Sequence, residues 1–361
     1  MCRRTGPISC LCAAFLLPLK LAKANLVLSR VVWTDRENAH GGEEYGKYNK
    51  GGLYMRILVY GAGVLGCNLV RNLFRAGKEV ALLARGDWAE EIRKNGLRIK
   101  DKFSPRMSVS RIPVVTTLAP TDRYDVIFVV VRYTQLDSVL PVLRANETET
   151  VVFVGNNVRA SETAAQLPGK NVLFAFTSAA GHREVDHVAS IDLRRITIGQ
   201  LYGAPSKEAR IAEIFAGTKY KVTYEPNMGD YLLCHAAFVL PAAFACYKTD
   251  GNLKKLKRDT VYLNRLIDAN IEGYRALRNA GHAILPESDK DFEGEKYRRL
   301  CLRFFKLMCA TSLGKICASD HAMNATDEMG ALNRDLTQLF DKNGAAYPTW
   351  KALQAECGRY V

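Results

Sequence analysis

The chain has 361 residues, 48% of them hydrophobic and 24% charged, the balance of a folded protein long enough for two domains. That composition excludes disorder or low complexity as its organising principle. A formal charge of +14 suits an anionic partner. There is no zinc-finger spacing, aromatic RNA-binding strand or long basic tract, so the expected partner is a charged small molecule and not a nucleic acid.

The first 54 residues stand apart. "MCRRTGPISCLCAAFLLPLKLAKA" has an arginine pair, an apolar run and an Ala-Lys-Ala end, the outline of a secretory signal, but Lys20 and Lys23 crowd the cleavage site. Residues 1–54 therefore read as a disordered extension or as sequence upstream of the true start. The ten cysteines are scattered singly with no CxxC pair, which fits reduced thiols in a cytoplasmic protein and no metal site. Cys67, Cys234 and Cys246 sit in apolar patterns and read as small core residues.

"MRILVYGAGVLGCNLVRNLFRAG" opens with a run, Ile57 to Tyr60, that suits a buried parallel strand. Gly61-x-Gly63-x-x-Gly66 follows at once, then Leu65, Leu69, Leu73 and Phe74 at helical spacing until Gly77. Strand, glycine turn and helix in succession is the context of a dinucleotide site. Gly61 makes the turn, Gly63 admits the pyrophosphate and Gly66 lets helix meet strand, with Ala62, Val64 and Leu65 completing the cradle.

The second strand, "EVALLAR", ends in Arg85, where an NAD site would place Asp or Glu. A guanidinium pairs with a ribose 2′-phosphate, so the cofactor read from this position is NADP; the competing reading is an ordinary surface arginine. "YDVIFVVVR" ends in Arg132 and "TVVFVGNN" in Asn156 and Asn157, at the strand ends where doubly wound sheets bind ligands. "NVLFAFTSAAGHREV", "RRITIGQ" and "YKVTYE" read as further strands, with a helix over 207–216. The predicted first domain is a Rossmann-type doubly wound parallel sheet over residues 55–224.

From 225 the pattern changes to long helices, predicted at 230–247, 258–280, 292–316 and 328–342, and "NG" at 343 and 344 stops the last. Residues 225–361 thus form an all-helical domain, leaving a substrate cleft between the two. "YLLCHAAFVLPAAFACY", residues 231 to 247, carries no formal charge. As a helix it rises only about 26 Å, short of the roughly 30 Å of a hydrocarbon core. With His235 and Pro241 inside it, it reads as a helix buried on all sides, not a membrane span, with Asp230 as its N-cap.

This arrangement resembles the ketopantoate reductase family, NADP-dependent enzymes that reduce a branched 2-oxo acid to its 2-hydroxy acid. The resemblance covers essentially all of residues 55 to 361. It rests on "MRILVYGAGVLG", "LLARG", "VVVRYTQLDSVL" with Arg132 where the family commonly has Lys, "VGNN", and "NGAAYPTWKAL" near the C-terminus. Glu328 in "TDEMGALN" and Asn333 resemble the family's C-terminal Thr-Glu-Ile-Asp element. One departure stands out. The family's first helix of the second domain carries a proton-donating Lys and, at four-residue steps, two Asn residues, the second just before a Pro. Anchoring on Pro241 places Leu232, Ala236 and Leu240 at these positions, and no Lys lies between Lys221 and Lys248.

Hydride transfer to a carbonyl carbon needs a nearby proton donor. His235, one turn past Leu232, is the candidate, as imidazolium; the alternative is a hydrogen-bonded core histidine. Glu328 reads as an acceptor from the substrate hydroxyl, as a contact to the cofactor, or as a helix-start carboxylate. The resemblance implies Asn156 beside the nicotinamide and Arg132 beside the phosphates or a substrate carboxylate. The expected function is hydride transfer between NADPH and a 2-oxo acid or related carbonyl other than ketopantoate, with a possible homodimer. The alternative is a non-catalytic NADP-binding sensor.

Overall fold

Uninterrupted apolar runs form the centre of a ten-stranded sheet: β1 (Arg56–Tyr60), β6 (Val126–Val129) and β7 (Thr150–Val154). A computed structural model describes residues 55–102 and 104–360; the expectations for 1–54 lie outside the described residues. Parallel pairings join β5 (Val114–Val115), β2 (Glu79–Leu83), β1, β6, β7 and β8 (Asn171–Arg183) in that order, the doubly wound arrangement that the strand–turn–helix units predict. The sheet is mixed beyond β8. The long strand β9 (Val188–Gly199) returns antiparallel to β8, β3 (Leu97–Asp101) and β10 (Lys221–Tyr224) both lie parallel to β9, and β4 (Met107–Ser110) closes the edge antiparallel to β3.

The sheet curls around α1 (Val64–Arg75), which packs against β1 and β2 on one side and against β3, β8 and β9 on the other. This explains three polar side chains on a buried helix. Asn72 Nδ2 donates to Asp192 Oδ2 at 2.6 Å, Ser190 Oγ donates to Asn68 Oδ1 at 3.2 Å, and Arg71 pairs with Asp192 at 3.4 Å. All four partners and Asn72 are buried, so each polar group depends on the other for hydrogen bonds it no longer makes to water. Around this core lie α2 (Gly86–Asn95), α3 (Leu136–Ala145), α4 (Ala160–Ala165) and α5 (Glu208–Phe215).

From residue 228 the described chain is helical: α6 (Met228–Lys248), α7 (Thr260–Asn279), α8 (Glu295–Ala310), α9 (Thr326–Lys342) and α10 (Pro348–Ala355). The N-cap of α6 is Asn227, whose side chain accepts from the Asp230 amide, and not Asp230 as expected. Asp230 instead accepts from His282 Nδ1 at 2.7 Å and from the Ala283 amide at 2.9 Å, tying α6 to the end of α7. The helix expected over 292–316 breaks at Thr311, which is extended. It resumes as short turns, Ser312–Gly314, Lys315–Ser319 and Asp320–Asn324, and Gly314 packs so close to the Met308 carbonyl that a Cβ would meet its oxygen at 1.9 Å.

Among the described residues α6 is the one helix long and apolar enough to cross a membrane, and most of it is buried inside the protein. Cys67, Cys234 and Cys246 are fully buried, and burial pushes each thiol up to about 12, which makes them core residues rather than nucleophiles. Removing Asp192 as Asp192→Ala leaves Arg71 buried without its carboxylate. Chemical denaturation should show a loss of roughly 3–5 kcal/mol, and a loss under about 1 kcal/mol would mean that Arg71 finds water instead.

Candidate active site

The glycine turn sits where β1 delivers the chain to α1. Gly61 has φ +121°, and a Cβ there would meet the Val130 carbonyl oxygen at 2.2 Å. A Cβ on Gly66 would meet the Gly61 carbonyl oxygen at 1.9 Å, so helix and strand touch through backbone. Gly63 faces open space. No side chain caps α1, which leaves its first-turn amides directed at that space, the geometry that accepts a phosphate.

That space is the end of a cavity of about 1000 Å³ that runs between the sheet and the helices. Gly61, Ala62, Gly63, Val64, Leu65, Arg85, Arg132, Asn156, His235 and Glu328 all line it. Gly66 is buried behind the turn. The residues expected of the site are thus gathered around one cavity.

At the nucleotide end, Arg85 Nη2 donates to the Tyr60 hydroxyl at 2.6 Å, which holds the guanidinium beside the glycine turn. Arg183, which the sequence reading missed, lies 5.3 Å over the Trp88 ring, and Trp88 Nε1 donates to the Ala62 carbonyl at 3.0 Å. Arg132 is half-exposed and spans the cleft, donating to the Asn324 carbonyl at 2.9 Å and pairing with Asp327 at 3.4 Å. Asn156 has a buried side-chain oxygen with no hydrogen-bond partner among the described residues, a polar group that a ligand amide or hydroxyl would satisfy. Its neighbour Asn157 is structural: it donates to Thr163 and accepts from the Arg159 amide.

The helical wall is different. His235 is 8% exposed, its ring centroid 3.8 Å from that of Phe176. Burial, with a smaller push from His321, takes the imidazole down to about 3. The expected imidazolium donor is thereby corrected: in this apolar wall the ring is neutral at pH 7. Helical periodicity also corrects the register of the family comparison. Leu232, Ala236 and Leu240 are core residues outside the cavity lining, and the lining positions at four-residue steps are His235, Val239 and Ala243. His235 therefore occupies the cavity-facing place, with two apolar residues after it. Lys248 is remote from this face, paired with Glu356 at 2.6 Å.

Glu328 is buried, and its Oε1 accepts from the Tyr133 amide at 3.3 Å, so α9 is held to the end of β6 at the cavity edge. The Tyr133 hydroxyl donates to Asp335 and accepts from Arg159 Nε at 2.8 Å, a second link between the two halves. Asn333 is occupied elsewhere, its Oδ1 accepting from Trp350 Nε1 at 2.9 Å. Sequence reasoning also missed Phe176 to Arg183, Asp320 and His321 as lining residues. The exposed pairing of His182 with Glu184 at 2.9 Å gives no sequence signal of its own.

A glycine turn opening onto a cavity shared by a Rossmann-type sheet and a helical domain defines the class of NAD(P)-dependent oxidoreductases. Residues 57–203 match the family model described as Ketopantoate reductase PanE/ApbA. Over those residues the chain is similar to that family. No curated protein matches the sequence. Among solved structures, the chain resembles 2-dehydropantoate 2-reductase from Geobacter metallireducens GS-15 at 17% identity and a TM-score of 0.71, over 85% of this chain and 100% of that one. D-mandelate dehydrogenase with NADH and anilino(oxo)acetate is similar at 15% identity and 0.68, over 85% and 98%. The dimeric ketopantoate reductase from Staphylococcus aureus is similar at 12% and 0.61, over 85% and 98%. At these identities the likeness is one of fold.

The buried neutral imidazole has a consequence for stability. A histidine pushed down on folding contributes nothing unfavourable above its unfolded value near 6.5 and destabilises as pH falls from there toward 3, because only the unfolded chain takes the proton. Buried Asp289, pushed up to about 7, works with opposite sign, losing stability as pH rises through the same range. The comparison of unmodified protein with His235→Leu isolates the first effect. The variant's relative stability should rise by on the order of a few kcal/mol between pH 7 and pH 4 in denaturation, and a flat difference would refute the buried neutral ring.

Proposed function

We propose that the protein is an NADP-dependent oxidoreductase acting between a carbonyl and its alcohol, on a 2-oxo acid or related carbonyl compound other than ketopantoate. The observation that carries this is the single cavity joining the glycine turn to His235 and Glu328. The residues present fit the cofactor: the Gly61–Gly66 contact leaves no room for side chains, and the unpartnered oxygen of Asn156 suits a carboxamide. When bound, the nicotinamide supplies a hydride to the carbonyl carbon, and the oxygen takes up a proton.

The chain's own residues divide the remaining work. The α1 amides and Arg132 face the phosphates, and Arg85, aided by Arg183, reads the 2′-phosphate. In its neutral form His235 donates an N–H to the carbonyl oxygen, which polarises it without needing an imidazolium. Glu328 accepts from the substrate hydroxyl or holds the cofactor. A cytoplasmic setting agrees with the free cysteines, and a homodimer is the proposed assembly by likeness to the S. aureus protein.

The second reading, a non-catalytic NADP-binding sensor, is favoured by the absence of a lysine among the described residues lining the cavity. NADPH binding followed by turnover over 2-oxo acids, aldehydes and ketones separates the two, since binding without turnover of any of them selects the sensor. Arg85→Ala should weaken NADPH binding by about tenfold or more and leave NADH binding within twofold, measured by calorimetry; equal loss for both would remove the 2′-phosphate role. His235→Ala should lower kcat by roughly 100-fold with NADPH affinity unchanged. Intact turnover in that variant would end the proposal for His235.

A further inference from the structure

The two ends of the cavity have opposite chemistry. The guanidinium groups that line it are Arg85 and Arg183, beside Tyr60 and Trp88 at the nucleotide end, and Arg132, which donates to the Asn324 carbonyl and pairs with Asp327. Among the described residues the helical wall contributes no Lys or Arg. Its charged side chains are two carboxylates, buried Glu328 and Asp320. Asp320 is 15% exposed; its Oδ2 has no hydrogen-bond partner and lies 3.7 Å from His182 Nδ1, while Lys315 stands 3.9 Å from its other oxygen.

Most of the rest of the wall is apolar, with a cluster of three phenylalanines. Phe238 stacks on Phe305 with centroids 5.9 Å apart and planes at 12°, and Phe304 packs against both at 5.8 and 5.6 Å. Phe176 covers the His235 ring opposite. A substrate carboxylate against this wall would meet the Glu328 and Asp320 carboxylates and the neutral His235 imidazole, and the wall itself lines the cavity with no Lys or Arg to replace its hydration. An uncharged carbonyl with a flat apolar body would lose little hydration and gain aromatic contact.

Resting on the oxidoreductase reading above, we propose that the substrate is an uncharged ketone, aldehyde or ester-flanked carbonyl with an aromatic or bulky apolar body, and not a free 2-oxo acid. In the reduction, the carbonyl carbon gains the hydride, the π pair moves to oxygen, and oxygen takes a proton delivered from solvent. The products are the alcohol and the oxidised cofactor, so atoms and charge balance.

The test uses phenylglyoxylate and its methyl ester, which differ by one negative charge on the same carbon frame. The full-length protein is titrated calorimetrically with each in the presence of NADP⁺, and NADPH oxidation is followed with each. The ester should bind at least about tenfold more tightly and show a kcat/KM at least about tenfold higher than the acid. Asp320→Asn should raise the acid's affinity severalfold relative to the ester, with NADPH affinity unchanged. Equal or better binding of the acid, or failure of both compounds to bind, overturns the proposal. Selective ester binding without turnover of either supports the charge selection and refutes the reductase reading, which keeps the two failures apart.

Discussion

Everything in this molecule depends on burying α6 from every side. Its run from Tyr231 to Tyr247 has no charge, and sixteen of the helix's residues are buried. At about 1.5–3 kcal/mol for each large side chain taken from water, no arrangement that leaves a face of α6 exposed competes. The chain meets this by packing α7, α9 and α10 on one side and β8 and α4 of the sheet domain on the other. The helix that belongs to the second domain is therefore a shared core element, and the cavity is what remains between it and the strand ends.

That origin explains the chemistry of the wall. Within residues 231–247 the less completely covered ones, Val239 and Ala242, face the cavity, beside His235 and Phe238. A helix selected for burial offers few polar groups, and the imidazole it turns to the cavity is made neutral by the same burial. The opposite wall is backbone and guanidinium, because phosphate binding calls for amides at a helix start and for permanent positive charge. Small bridges then close the cleft edges: Arg132 to Asn324 and Asp327, the Tyr133 amide to Glu328, and the Tyr133 hydroxyl with Arg159 and Asp335.

The sheet domain solves a related problem with polar groups. Because the sheet curls, α1 is enclosed by β3, β8 and β9 as well as β1 and β2. Its second face carries Asn68, Arg71 and Asn72, matched by Ser190, Asp192 and Tyr220. A helix that looks amphipathic is in fact a central element whose polar stripe is satisfied internally. The same curl brings Arg183 of β8 over Trp88, close to the glycine turn.

The sequence by itself determined the parts whose signal is local. The glycine turn is one, since Gly66 is demanded by the Gly61 carbonyl five residues back and Gly61 by its own positive φ. The buried strands, three of the four long helices and the reading of residues 231–247 as core are others, since length and hydrophobic period decide them. Only the tertiary structure decided the rest, because it depends on which surfaces meet. The antiparallel return of β9 and the enclosure of α1 arise from long-range pairing. Anchoring on Pro241 points to Leu232, Ala236 and Leu240, whereas the cavity takes the adjacent row His235, Val239 and Ala243, about 60° round the helix, and the sequence marks no face on a helix apolar all round. The protonation of His235 follows from burial, which no neighbour in the sequence announces. Arg183, Asp320 and His321 entered the site for the same reason: their place is set by a curled sheet and by a helix broken at Thr311, not by spacing.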